Sequence, residues 1–363
     1  MLTTPVRSLK IVVEHLSRTF RVVERPEGLR ASLVSLVRRR FREVEAVRDI
    51  SFVVQPGEVV GFLGPNGAGK STTLKMLAGL MHPSAGAARV AGFVPWERRP
   101  EYLQRISMVL GNKSQLVWGL PPLDTFRVLG EIYGVPAAAR RRTVDELVAL
   151  LDLKEVVEKP ARFLSLGERM KCELVAALLH QPEVLFLHEP TLGLDTSMQQ
   201  RLRAFVGDYN RRTGATVVLT SHSMADVSAL CRRVVVIHRG GLIYDGDLRA
   251  LAERLAPYKL IEAVLDSTLG VAQSATGVVA VAPGTQAATA GAWAASAPPE
   301  AWEAPPGATI LERTPERLRL RVERGAVPAV TAHLLGTLSV IDLSVEDPPL
   351  EAVIDRVYAE AVA

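Results

Sequence analysis

Cysteine is scarce in this chain, and its two copies, Cys172 and Cys231, are far apart in the sequence and show no metal-site or disulfide spacing. We therefore expect two reduced, structural thiols. Aromatic residues are also few, at 5%, whereas apolar residues make up 48% and charged residues 23%. This composition is typical of a soluble globular protein.

Long apolar runs are missing as well. The longest uncharged stretch, residues 267–299, consists mainly of Ala, Gly, Ser, Thr, Gln and Pro, so its transfer into a bilayer would gain little and we interpret it as an insertion loop. The N-terminus has no apolar core of a signal peptide, so we expect a cytoplasmic protein. A net charge of +4 is too small to indicate nucleic acid or anionic lipid as a partner.

The chain length of 363 residues favours one main domain and a smaller second one. Up to about Gly246, apolar strands such as "EVVGFLG", "EVLFLH", "ATVVLTSH" and "RRVVVIHRG" alternate with helical patterns. Because these strands lack polar alternation, we predict a parallel sheet covered by helices, an α/β domain over residues 1–250. Residues 251–363 predict a small α+β C-terminal domain, with strand, helix, strand and helix after a low-complexity insertion at about 267–306.

A basic segment at about residues 24–42 interrupts the first domain. Its apolar residues recur at helical spacing and its arginines crowd one end: Leu29, Leu33, Leu36, Val37 and Phe41 (or Arg40) with Arg38, Arg39, Arg40 and Arg42. Two interpretations stay open. The segment is a surface helix packed on the domain, or a basic amphipathic element near a membrane or a membrane partner.

A phosphate-binding pattern, G-x-x-x-x-G-K-[ST], spans Gly64 to Ser71 between a predicted strand and a predicted helix. Glycines let the backbone wrap closely around phosphates, so that N–H groups and the helix N-terminus point at anionic oxygens. Lys70 would reach the β- and γ-phosphates, Ser71 would ligate Mg²⁺, and Thr72 would contact the α-phosphate. The expected nucleotide-binding residues of this loop are Gly64, Pro65, Asn66, Gly67, Ala68, Gly69, Lys70, Ser71 and Thr72.

Three further motifs narrow the assignment. "FLSLGERMKCEL", "EVLFLHEPTLGLD" and "TVVLTSHSM" follow the phosphate loop in an order and spacing that resemble the ATP-binding subunits of ABC transporters over about residues 9–250. The resemblance implies a P-loop NTPase (ABC ATPase) domain with a helical signature subdomain, which binds ATP and Mg²⁺ and hydrolyses ATP as a dimer. It also implies separate transmembrane permease subunits as partners, a position at the cytoplasmic face of the membrane, and no nucleic acid.

The resemblance assigns roles to matching residues. "LSLGE" corresponds to the family signature, in which Ser165 and the backbone near Gly167 close on the γ-phosphate held by the other subunit. Glu168 is the last residue of that signature. Glu189 corresponds to the general base that activates water and His222 to the switch histidine. Asp195 matches the loop that links the two sites across the dimer.

The residue that stacks on adenine stays open between two phenylalanines. Phe20 matches the family through its local sequence, "LSRTF". Phe41 matches through its distance ahead of "AVRDISF". Either ring would supply the stacking face.

Two departures from the family pattern concern the signature and the Mg²⁺-sensing glutamine. Leu166 replaces a glycine of the signature and Glu168 a glutamine, and we expect function to survive if Ser165 and backbone N–H groups supply the contacts. The Mg²⁺-sensing glutamine is missing from its usual place, where Asn112 stands, and the nearest glutamine is Gln115. The nearby "SQLxWxLP" resembles a branch of exporter ATPases with a separate six-helix permease and, often, a C-terminal α+β domain.

His188 is the third departure, since it stands where the family has an aspartate that holds the water shell of Mg²⁺. A neutral imidazole can accept one hydrogen bond, but a protonated one would repel the cation. With Glu189 intact, we expect an active exporter ATPase that is slower or needs more Mg²⁺. The alternatives are a degenerate or regulatory subunit paired with an intact one, or a soluble ABC ATPase without a transport role.

Overall fold

A computed structural model describes residues 11–23, 41–111, 114–266 and 302–360. The chain divides into two compact units, Met1–Leu248 and Arg249–Ala363. Most of the expected basic helix, residues 24–40, lies outside the described residues, but Phe41 and Arg42 belong to a strand, so the helix does not extend to them. Most of the expected low-complexity insertion, residues 267–301, also lies outside them.

The first unit contains a small antiparallel sheet with the strand order β2-β1-β4. Its strands are β1 (Ile11–Val23), β2 (Phe41–Val54) and β4 (Ala85–Val90). One face carries buried apolar residues such as Ile11, Val54 and Val90, which have no exposed surface. This face packs in the same core as the second, larger sheet.

The larger sheet has six strands in the order β5-β6-β7-β3-β8-β9, and all but β9 run parallel. The strands are β3 (Val59–Leu63), β5 (Ile106–Leu110), β6 (Val184–His188), β7 (Thr216–Thr220), β8 (Arg233–His238) and β9 (Gly241–Asp247). The four apolar runs quoted from the sequence all form strands here, as predicted. Because β3, β6 and β7 are parallel, their carboxyl ends meet at one edge of the sheet.

Seven helices of this unit are described: α1 (Lys70–Leu77), α2 (Pro100–Leu103), α3 (Pro122–Ile132), α4 (Ala137–Leu150), α5 (Leu166–Leu178), α6 (Thr196–Thr213) and α7 (Met224–Leu230). Their ends follow local sequence. Pro122 begins α3, where a missing N–H costs nothing. Gly214, with a left-handed φ of 69°, ends α6. Both cysteines are buried free thiols, as predicted.

The second unit is an α+β domain built on an antiparallel sheet of order β11-β12-β10-β13. Its elements are α8 (Leu248–Leu255), β10 (Tyr258–Leu265), β11 (Ala308–Arg313), β12 (Arg317–Glu323), α9 (Val327–Thr337), β13 (Val340–Glu346) and α10 (Leu350–Glu360). The order strand, helix, strand and helix is present from β12 onward, whereas β11 was not expected. Trp302, placed inside the expected insertion, belongs to the core instead.

Candidate nucleotide site

The phosphate-binding loop connects β3 to the N-terminus of α1. At Gly69, with φ 107°, a Cβ would lie 2.3 Å from the carbonyl oxygen of Ala46, so only glycine fits beneath the loop. Around Gly67, with φ 79°, a Cβ would meet nothing within 4 Å. The loop is thus pressed against β2 on one side and open on the other, which leaves room for phosphates beside its N–H groups.

Lys70 lies over this loop. Its ammonium group donates to the carbonyl oxygen of Gly64 and, at 3.3 Å, to that of Pro65. Burial lowers the pKa of Lys70, an effect that the carboxylate of Glu189 opposes. Because an ammonium has three donors and carries a full charge, these two carbonyls leave it able to bind an anion.

Ser71 and His188 contact each other directly. The Ser71 Oγ lies 2.8 Å from His188 Nε2, and the other ring nitrogen, Nδ1, lies 2.6 Å from Thr220 Oγ1. The second contact follows from strand register, because His188 and Thr220 are opposite each other on β6 and β7. Burial lowers the pKa of His188, with Glu189 opposing and Lys70 adding to the decrease.

Glu189 follows β6 in a left-handed conformation, φ 53°, and its N–H donates to the carbonyl oxygen of Thr220. The carboxylate is 9% exposed and faces His222: Oε2 accepts the His222 backbone N–H at 3.1 Å, and Oε1 lies 3.6 Å from its Nε2. Oε1 is buried and has no hydrogen-bond partner among the described residues. An unpaired buried carboxylate oxygen can accept a proton or a water hydrogen bond.

Asp226 was missed by sequence reasoning. This carboxylate is 1% exposed and accepts hydrogen bonds from the hydroxyls of Thr191 and Ser221, the latter at 2.7 Å. Thr191 is two residues after Glu189, and Ser221 directly precedes His222. Through these two hydrogen bonds Asp226 connects the segment of the predicted base with that of the switch histidine. An acid within the apolar face of a short helix was the available signal.

The signature residues form a helix cap. Ser165 Oγ accepts the backbone N–H of Glu168, and the Glu168 carboxylate accepts that of Ser165 at 2.8 Å, a reciprocal capping box at the start of α5. This bond lowers the pKa of Glu168. Asp195 similarly caps α6 by accepting the N–H of Met198 at 2.9 Å. In this single chain, Ser165 and Glu168 therefore hold the start of α5, and Asp195 holds the start of α6.

The region of the expected Mg²⁺-sensing amide is anchored by Glu173, a second residue that sequence reasoning missed. Its carboxylate is 3% exposed and accepts from the hydroxyl of Ser114 and from the backbone N–H of Gln115. The Gln115 side chain donates to the Met108 carbonyl oxygen at 3.3 Å, which directs it to β5. Asn112 lies outside the described residues.

The two candidate adenine-stacking residues lie at different depths of the β1–β2 hairpin. Phe20 pairs with Val44, two residues from the Ala46 that packs against Gly69, whereas Phe41 pairs with Val23 near the far end. Phe41 is 57% exposed.

The residues present fit a Mg²⁺–nucleotide complex. Phosphates would bind at the open face of Gly67, beside the charge of Lys70 and the N-terminus of α1. A water beside the phosphates would donate to Glu189 Oε1, which has no partner among the described residues. Ser71 is the side chain that would hold Mg²⁺, with its hydroxyl already fixed by His188.

Comparisons with known proteins agree with this arrangement. A family model described as "ABC transporter" matches residues 47–192, and one described as "EvrA-like ABC transporter, C-terminal domain" matches residues 293–346. The ABC transporter ATP-binding protein NatA of Bacillus subtilis (strain 168) is 35% identical over 219 residues, which cover 59% of this chain and 89% of NatA. This chain belongs to the ATP-binding proteins of ABC transporters.

Other relatives of this ABC ATPase support the same family. The Nod factor export ATP-binding protein I of Burkholderia pseudomallei (strain 1710b) is 37% identical over 221 residues, 60% of this chain and 71% of the relative. A solved ATP-binding subunit of an ABC transporter is 25% identical with a TM-score of 0.56, covering 68% of this chain and 93% of its own. The expected family, ABC ATPase fold and ATPase activity are confirmed.

A dimeric ATP-binding cassette in a post-hydrolysis state, bound to ADP and Pi, shares the fold with a TM-score of 0.54 at 20% identity, over 66% of this chain and 99% of that one.

Within the described part of this ABC ATPase, no helix is both long and apolar enough to span a membrane.

Proposed function

We propose that this ABC ATPase hydrolyses ATP at its own site and drives an exporter whose permease is a separate polypeptide. The observation that carries the proposal is the carboxylate of Glu189, which lies beside His222 with a buried oxygen that no donor in the described part of the chain occupies. A carboxylate oxygen in this state can take a proton from water.

Each residue of the site has a distinct task in hydrolysis. Lys70 moves from the loop carbonyls to the β- and γ-phosphates and neutralises charge there. Ser71 would hold Mg²⁺, which would supply further neutralisation of the phosphates. Glu189 takes the proton of the attacking water. His222 is 49% exposed, lies beside that carboxylate and contacts the γ-phosphate.

Dimer closure completes the site in this proposal. Ser165 and Leu166 are exposed at the start of α5, so the signature can meet the phosphates of a second subunit. Gly167 lies in the first turn of α5, where its N–H is one of the groups left without an intrahelical acceptor. Asp195 lies at the start of α6, on the segment that follows Glu189, and would link one site to the other.

Phe20 is the better candidate for adenine stacking. It lies closer to the phosphate loop along the hairpin than Phe41, by three residues, or about 10 Å of strand. The Arg18 guanidinium lies 4.7 Å from the centroid of the Phe20 ring, so a planar group already stacks on this residue.

The permease would dock on residues 114–133, which we call the docking surface. It combines two prolines with exposed apolar side chains: Val117 (47%), Trp118 (57%), Leu120 (41%), Val128 (50%) and Ile132 (69%). Exposed apolar side chains concentrated in one segment are typical of a protein interface. Export as the direction of transport rests on the relative named for Nod factor export.

Replacing Glu189 with Gln tests the proposal. The amide keeps the shape and one acceptor oxygen but cannot take a proton, so ATP binding should persist while turnover falls at least a hundredfold, about the contribution of a general base. The bound state should also accumulate as a dimer in size-exclusion chromatography. Parental turnover by the variant would remove Glu189 from the role of base.

One observation favours a second function, a regulatory subunit paired with an intact ATPase. His188 forms a direct hydrogen bond with Ser71, the proposed metal ligand, where the family has a carboxylate. On this alternative the chain binds ATP but hydrolyses it only when a second, intact subunit is present. Assaying the purified chain alone separates the two functions.

A further inference from the structure

Both nitrogens of the His188 ring contact a hydroxyl group. Nδ1 lies 2.6 Å from Thr220 Oγ1, and Nε2 lies 2.8 Å from Ser71 Oγ. A neutral imidazole has one donor and one acceptor nitrogen, so the needs of the two hydroxyls decide which nitrogen carries the proton. The two arrangements differ in whether position 188 offers Ser71 a donor or an acceptor.

Thr220 restricts the choice because its side chain is fully buried, with 0% exposure. Among the described residues, its hydroxyl has one hydrogen-bond partner, the Nδ1 of His188. If Nδ1 carried the proton, the hydroxyl proton of Thr220 would be buried without an acceptor. The cost of such a group biases an equilibrium by roughly ten- to hundredfold.

Ser71 is not restricted in this way. It is only partly buried and begins α1 at the open face of the site. With the ring proton on Nε2, Thr220 donates to Nδ1, Nε2 donates to Ser71 Oγ, and the Ser71 proton points to solvent or to a phosphate oxygen. Every buried donor then has an acceptor.

We propose that Thr220 is a positioning residue that fixes His188 in the Nε2–H tautomer, so that position 188 presents a hydrogen-bond donor to Ser71. An aspartate in this place would present an acceptor. Ser71 keeps one oxygen lone pair for a metal, but the water shell of the metal gains no acceptor from the imidazole. This consequence rests on the proposed function, whereas the tautomer itself does not depend on nucleotide.

The test is long-range ¹H–¹⁵N correlation NMR of the full chain, labelled with [¹⁵N]histidine and free of nucleotide, at about pH 8, above the histidine range. The chain has seven histidines, so a His188→Asn sample identifies the signals of His188. We expect a protonated Nε2 and an unprotonated Nδ1. The reverse assignment would overturn the proposal.

Three variants separate positioning from general destabilisation. Thr220→Val removes the hydroxyl, and the ratio of the two tautomers should shift toward Nδ1–H by roughly tenfold or more. Thr220→Ser should keep the parental ratio. Thr216→Val is the matched control on the same strand, since its hydroxyl accepts the Gly57 N–H instead. An unchanged ratio in Thr220→Val would overturn the role of Thr220, and a failure of ATP hydrolysis would refute only the proposed function.

Discussion

Replacing His188 with aspartate should lower the Mg²⁺ concentration that gives half-maximal ATPase activity. In the parent, the 2.8 Å contact between His188 Nε2 and Ser71 is a hydrogen bond between neutral groups. An aspartate would accept from Ser71 and from metal-bound water with a full negative charge. Thr220, which now contacts Nδ1, would donate to the second carboxylate oxygen, so the substitution leaves no buried hydroxyl without an acceptor.

The size of the effect follows from one charge-assisted hydrogen bond, about 1.5 to 3 kcal/mol. At about 1.4 kcal/mol for each factor of ten, this corresponds to roughly ten- to hundredfold in Mg²⁺ affinity. Glu189 is the next residue and would repel a second carboxylate, whereas Lys70 would attract it, so the two effects oppose each other.

The assay is a Mg²⁺ titration at saturating ATP for three proteins: the parent, His188→Asp and His188→Asn. Asparagine matches aspartate in shape but carries no charge, so it should move the midpoint by less than threefold. Coincident curves for the parent and His188→Asp would refute the reasoning, because His188 would then not face the metal. An equal shift in His188→Asn would assign the effect to size.

Three further predictions follow from the same geometry. Burial lowers the pKa of His188, so the ring should protonate only below the ordinary histidine pKa of about 6.5. Titrations at two pH values should therefore show the Mg²⁺ requirement of the parent rising at acidic pH and that of His188→Asp unchanged. Ser165→Ala removes the cap of α5 and should reduce the free energy of unfolding by about 0.5 to 2 kcal/mol in urea denaturation, with an unchanged m-value. Trp118→Glu should abolish co-purification with permease-containing membranes and spare the ATPase of the isolated chain. Ile341→Glu, at a side chain that is exposed to 68% against 57% for Trp118 but belongs to the second unit, should retain the membrane partner.

The parallel sheet of the first unit could be predicted because its strands are short apolar runs without polar alternation, which a sheet covered on both faces buries. The phosphate loop was recognisable for the same kind of reason, since Gly67 and Gly69 occur where the backbone needs left-handed conformations. Strand β11 was missed because its burial pattern is mostly exposed, so the sequence shows little apolar periodicity there.

The contacts around the site were harder to foresee. That His188 would lie 2.6 Å from Thr220 depends on the register of β6 and β7, and two strands separated by a helix do not reveal their register in sequence. Asp226 and Glu173 were missed for a related reason. Each is a buried acid whose partners lie outside its own helix. Glu173 accepts from the Gln115 N–H, whereas Asp226 accepts from the Ser221 hydroxyl and pairs with Arg203, and such partners form no sequence motif.

The most direct test of hydrolysis at this site is phosphate release by the purified chain alone, supplied with ATP and Mg²⁺ in the millimolar range and compared with Glu189→Gln. We predict steady release by the parent and none above background by the variant. Release that appears only after an intact second ATPase subunit is added, and that is unaffected by Glu189→Gln, would contradict hydrolysis at this site and would identify the chain as a regulatory partner.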